Sequence, residues 1–169
     1  MKTIKIITSL IILSMLGNTA FAQNGVEKIN YNGFVELSDS LKSYRKKRLI
    51  NEATFNTFRQ EPKTIILDTR SKSAFDEIHI QGAIHINFSD FTKDKLEAII
   101  PDKTIRILIY CNNNFESKKT SLLDKNVRLA LNIPTFINLY GYEYKNIFEL
   151  KGYLKEDETI IPLITNEKK

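Results

Sequence analysis

The chain has 169 residues, 42% of them hydrophobic, and a formal charge of +5 from 25 Lys and Arg against 20 Asp and Glu. The basic residues are interleaved with acids rather than clustered, which argues against nucleic acid as a partner and only weakly for anionic partners. One cysteine in the whole chain excludes an intrachain disulfide, so stability has to come from packing.

Lys2 and Lys5 precede an apolar run from Ile6 to Leu16, and Ala20-Phe21-Ala22 supplies a small-x-small cleavage signature. Residues 1–22 are therefore expected to be a secretory signal peptide cut before Gln23, and the periplasm or the cell exterior is the expected location. The run is shorter than the roughly 20 residues that a membrane span needs, and no later segment approaches that length. No cysteine stands near the cleavage site to carry a lipid. Removing the peptide leaves 147 residues and a formal charge of +3, enough chain for one domain with a real core.

Residues 23–32 are polar and expected to be loose. From Phe34 to Lys47 the spacing of Leu37, Leu41 and Tyr44, with Ser38 or Asp39 as cap, predicts a short helix. Arg48-Leu49-Ile50 reads as a short strand running into a helix capped by Asn51, with Phe55 and Phe58 on one face and Pro62 closing it. Thr64 to Leu67 is a continuous apolar run, the pattern of a strand buried on both faces, and it ends at Asp68. A helical turn at Ser73 to Ile78, a small strand at Gly82 to Ile86 and a helix through Leu96, Ile99 and Ile100 ending at Pro101 follow. Ile105 to Tyr110 is a second buried strand. Beyond Cys111 come helical patterns at Leu122, Leu123 and Leu129, then at Ile133, Phe136, Ile137 and Tyr140 behind Pro134 at a helix start. Asn146 to Leu150 closes as a strand. Strands alternating with helices predict a parallel α/β sheet covered on both sides.

In an open parallel sheet the ligand crevice lies outside the carboxyl ends of the strands, and Cys111 stands at such an end. A polar loop follows it and is expected to feed a helix, so successive amides backed by a helix N-terminus form an anion-binding concavity that favours a thiolate. The alternative is that Cys111 is a small hydrophobe at a strand terminus, as unpaired cysteines often are.

The ordered segments Ile65-Ile66-Leu67-Asp68-Thr69-Arg70, Phe75, His79-Ile80-Gln81-Gly82-Ala83-Ile84-His85-Ile86, Ile107-Leu108-Ile109-Tyr110-Cys111 and Tyr144 to Gly152 resemble a rhodanese-like domain over residues 48–154. Residues 23–47 are then a lead-in with a short helix, and residues 155–169 a polar tail. The resemblance implies a three-layer α/β fold with a central, mostly parallel sheet of about five strands covered by helices on both faces. It also implies a persulfide mechanism: the Cys111 thiolate takes the outer sulfur of a donor such as thiosulfate and passes it to a thiophilic acceptor. Cys111 is then the nucleophile, and Asn112, Asn113, Asn114, Phe115, Glu116 and Ser117 form the substrate-binding loop. Active relatives often carry an arginine or threonine where this chain has Glu116, and a glycine in a loop that here has none. A carboxylate beside a thiolate raises its pKa and repels an anionic donor, and the absent arginine bears on thiosulfate specificity. Lys118 and Lys119 compensate only if they turn inward; a solvated helix face is their ordinary place.

Ser117 stands where a cysteine phosphatase needs a bidentate arginine, and no second cysteine exists for thioredoxin-type exchange, so neither chemistry fits. Asp68 and Arg70 read either as acid and anion clamp or, as the resemblance implies, as a structural pair tying loops together. His79 is expected to brace the turn before Gly82. His79 and His85 have no ligand-spaced partners, so no metal and no cofactor is expected. Gly82 and Gly152 mark expected turns of positive φ. Tyr140, Tyr142 and Tyr144 form an aromatic cluster, read as core and rim packing. Two functions remain open: sulfur transfer, whose partners are a small sulfur-containing anion and a thiol acceptor, or a catalytically inactive module that binds a peptide or small anion.

Overall fold

The computed structural model describes residues 28–116 and 123–166. The expected signal peptide, Ser117, Lys118, Lys119 and Leu122 lie outside the described residues. The chain divides into residues 1–30 and residues 31–169; the described part of the first, 28–30, holds no helix or strand. Residues from 31 onward carry, in order, α1 (Tyr31–Ser40), α2 (Lys42–Lys46), β1 (Leu49–Ile50), α3 (Glu52–Phe58), β2 (Thr64–Asp68), α4 (Lys72–Glu77), β3 (Ile78–Ile80) and β4 (Ala83–His85). Then follow α5 (Lys93–Ile99), β5 (Arg106–Tyr110), β6 (Phe115–Glu116), α6 (Asn132–Gly141), β7 (Ile147–Leu150), β8 (Leu154–Lys155) and β9 (Leu163–Thr165).

Five of the strands form one sheet in the order β1-β7-β5-β2-β4, with every pairing parallel. The two central apolar runs take its middle because both of their faces are covered. On one face Ile66, Leu108, Tyr110 and Leu150 pack with Phe55 of α3 and with Ile78 and Ile80 of β3. On the other, Leu67, Ile107, Ile109 and Ile147 pack with Leu96 of α5 and with Phe136 and Leu139 of α6. Two small pairings, β3 with β9 and β6 with β8, fasten the C-terminal segments to the body. Among the described residues no helix is long and apolar enough to cross a membrane.

Asn51 caps α3 as expected, its Oδ1 accepting from the Thr54 amide at 2.9 Å. Gly82 and Gly152 take φ of +85° and +90°. Two expectations are corrected. The single helix over Phe34 to Lys47 is two helices that begin at Tyr31 and turn at Leu41, and Ser38 lies inside the first, donating to the Phe34 carbonyl at 2.7 Å instead of capping. The helix expected soon after Cys111 is not found in the described residues: residues 123–126 have no regular structure, Val127–Leu129 is one 3₁₀ turn, and Leu123, Val127 and Leu129 are exposed. Their apolar spacing lacks a surface to face, so it does not fix a helix.

Candidate functional site

The adjacent strands β2 and β5 end side by side, with Asp68 in register with Tyr110. Residues just past these ends, Thr69, Arg70 and Cys111, therefore share one rim, and α6 is seated over it by a Thr69–Thr135 hydroxyl contact of 2.9 Å. Asp68 and Arg70 are buried as a pair, 0% and 2% exposed. Arg70 donates to both carboxylate oxygens of Asp68 and to the Ile78 carbonyl, and Tyr110 donates to Asp68 Oδ2 at 2.6 Å. The guanidinium also lies against the rings of Tyr110 and Phe115. Burial works against its charge, but Asp68 and Tyr110 more than offset that and leave its pKa above the ordinary arginine value. Burial, with Asp68 adding to it, pushes the Tyr110 hydroxyl well up. This geometry is a loop tie, the second of the two readings of the pair, since Arg70 spends its donors inside the protein. His79 braces α4 by donating from Nδ1 to the Phe75 carbonyl at 2.7 Å and stacking on the Phe75 ring. His85 likewise bonds the Arg70 carbonyl at 2.8 Å.

Cys111 is 1% exposed. Burial raises its pKa; the amides of Asn132, Asn113 and Leu131, which face the sulfur, oppose that, and the charge of Glu149 adds to it. The net direction is up, so the resting group is a thiol, whose Sγ lies 4.0 Å from Asn113 Oδ1. Among the described residues, the amides that face the sulfur come from two segments. Asn113 contributes from the loop, while Leu131 and Asn132 contribute from the first turn of α6, where unsatisfied amides and the helix dipole favour negative charge.

The loop itself is folded inward. Asn112–Asn114 forms a 3₁₀ turn whose Asn114 side chain, 5% exposed, makes four bonds: Oδ1 accepts from the amide of Cys111 and from Asn132 Nδ2, both at 2.9 Å, and Nδ2 donates to the Leu150 and Gly152 carbonyls. Phe115 enters the core. Glu116 is exposed and in register with Lys155 across the β6–β8 pair. Asn113 accepts from the Lys125 amide and donates to its carbonyl, drawing that segment across the rim. Among the described residues a recess of about 150 Å³ lies here, lined by Arg70, Ser71, Asn112, Asn113, Lys125 and Leu131. Of the expected aromatic cluster, Tyr144 is buried against α5 with its hydroxyl on the Ile100 carbonyl, while Tyr140 and Tyr142 pack at the edge of the same core and line no part of the recess.

The sequence reading missed Glu149. It lies in a central strand, 5% exposed, where its Oε1 accepts from Arg45 Nη2 of α2 at 2.7 Å and its Oε2 has no partner. Burial raises its pKa, with Arg45 and the side chain of Asn132 opposing. The available signal was an acid in the middle of the apolar run Ile147 to Leu150, where a buried position demands a partner.

A model of the rhodanese-like domain matches residues 52–156, more than half of the chain. No curated protein matches it. Among solved structures, the solution structure of the rhodanese-like domain of the Alr3790 protein from Anabaena superposes with a TM-score of 0.50 at 20% identity, covering 70% of this chain and 80% of that one. A crystal structure of the Alr3790 protein gives 0.48 at 20% identity, over 70% of this chain and 94% of that one. A rhodanese from E. coli, solved with anions, gives 0.41 at 20% identity, over 61% and 99%.

Proposed function

This chain belongs to the family of rhodanese-like domains, and from that premise we propose that it is a catalytically inactive member that binds a small anion at the rim beside Cys111. The observation that carries this reading is the sulfur itself: Cys111 is 1% exposed and its thiol is pushed up, whereas a sulfur-accepting cysteine has to meet its donor as an exposed thiolate. Asn114 pins the loop in the closed turn, so the closure is built from four hydrogen bonds rather than from surface contacts. The recess beside it, at about 150 Å³, is smaller than the roughly 300 Å³ at which pockets begin to take drug-sized ligands, and fits an anion of a few atoms. Lys125 supplies its positive charge, since the Arg70 charge is matched by Asp68. The N-terminal signal pattern supports the periplasm or the cell exterior as the location of this work.

Titration of the protein with sulfate, phosphate and acetate, followed by amide resonances, tests the reading. Saturable shifts at Asn112, Asn113 and Lys125, weakened in Lys125→Ala, are the expected result; the absence of saturable shifts at these residues with all three anions overturns it.

A second reading, sulfur transfer through a Cys111 persulfide to a thiol acceptor, is favoured by one specific observation. Three amides face the sulfur, two of them at a helix N-terminus, which is the arrangement that stabilises an anionic sulfur. Its signature is a covalent mass gain of one sulfur atom on Cys111.

A further inference from the structure

The carboxylate that bears on Cys111 is not the one in its own loop. Cys111 continues β5 two residues beyond Ile109, and Ile109 is the register partner of Glu149, so alternation puts Cys111 and Glu149 on the same face of the sheet, under the start of α6. Asn132 connects them: its amide faces the sulfur, and its side chain lies beside the Glu149 carboxyl while donating to Asn114. Glu149 is more than nine-tenths buried, one oxygen is held by Arg45, and the other is unpartnered. Among the described residues, the groups facing it are Arg45 from α2, Cys111 from the end of β5, uncharged Asn132 from α6 and Leu49 in register on β1.

We infer that Glu149, anchored by Arg45, is a positioning residue that guards Cys111: its carboxylate denies the neighbouring sulfur a negative charge that the α6 amides would otherwise stabilise. The inference rests on the neutral-thiol reading of the site and supplies its cause beyond burial. Two anions in one buried site repel, and the one with the weaker support stays protonated. Here that is the sulfur, because Glu149 has a guanidinium and Cys111 has only amides. A neutral thiol reacts slowly with oxidants and disulfides, which suits the lone cysteine of a chain whose N-terminal pattern is that of an exported protein.

The test is the pH profile of Cys111 alkylation by iodoacetamide, read by intact mass on the full chain, for wild type, Glu149→Gln and Glu149→Asp, with a melting curve on each. Wild type and Glu149→Asp are expected to titrate at or above the free-cysteine value of about 8.5, and Glu149→Gln about one unit lower, so that its rate at pH 7 rises about tenfold. A folded Glu149→Gln with the wild-type profile overturns the inference. A wild-type midpoint well below the free value overturns the neutral-thiol reading instead, and the two failures are read from different samples. Should Glu149→Gln not fold, carbon NMR of the wild type decides: the Cys111 Cβ resonance is expected to move at the pH where the Glu149 carboxyl titrates, and a Cβ resonance without that inflection overturns the inference.

Discussion

Asn114 and Glu149 show how single polar side chains decide what the rim can do. Asn114 satisfies the Cys111 amide and the carbonyls of Leu150, the last residue of β7, and of Gly152 beyond it, so truncation takes partners from buried backbone groups. Asn114→Ala is expected to cost about 2–3 kcal/mol, measured by chemical denaturation, and to speed Cys111 alkylation by loosening the turn. Unchanged stability with unchanged alkylation contradicts this. Glu149 sets a pH dependence of known sign. Its folded-state pKa lies above the ordinary glutamate value because of burial, so the native state holds the proton longer than the unfolded chain does. Its contribution is fully present below about pH 4.3 and is lost as pH rises through the raised native value. Between those limits the wild type should lose stability relative to Glu149→Gln, as thermal melts across a pH series will report.

At the scale of elements, what could be read in the sequence was what backbone periodicity controls. The continuous apolar runs Thr64 to Leu67 and Ile105 to Tyr110 became the central strands because their residues fit a two-sided burial and little else. Asn51 as cap and the two glycines at positive φ were equally legible, each answering a local backbone demand. The apolar spacing of Leu123 and Leu129 misleads because both are exposed and have no partner surface to pack on. The site was legible only in outline. Cys111, Asp68, Arg70 and His79 were located, but the amides that face the sulfur come partly from Leu131 and Asn132, some twenty residues away, and Glu149 converges through the register of β5 and β7. No local pattern encodes such a meeting.

Glu143 also escaped the sequence reading. It stands just past Tyr142, the C-cap of α6, in the left-handed region at φ +72°, exposed, with its own acid near the negative end of the helix dipole. Glu143→Gly should raise stability by about 0.5–1 kcal/mol, and a melting point at or below that of the wild type contradicts the assignment of strain there.

On the scale of the whole molecule, a parallel sheet with its strand ends gathered under α6 makes a rim whose chemistry depends on whether the rim is open. The family's fold is kept, while the loop after Cys111 is turned inward by Asn114 and fastened on its outer side by Asn113 to the Lys125 segment. The fold thus holds an amide-ringed sulfur and shields it with Glu149 and a closed turn. The most direct measurement is the intact mass of the protein after incubation with thiosulfate and with a second, persulfide-bearing donor, before and after cyanide. The account predicts an unchanged mass in every sample. A gain of one sulfur atom on Cys111 that cyanide removes would contradict it and make this chain a sulfurtransferase.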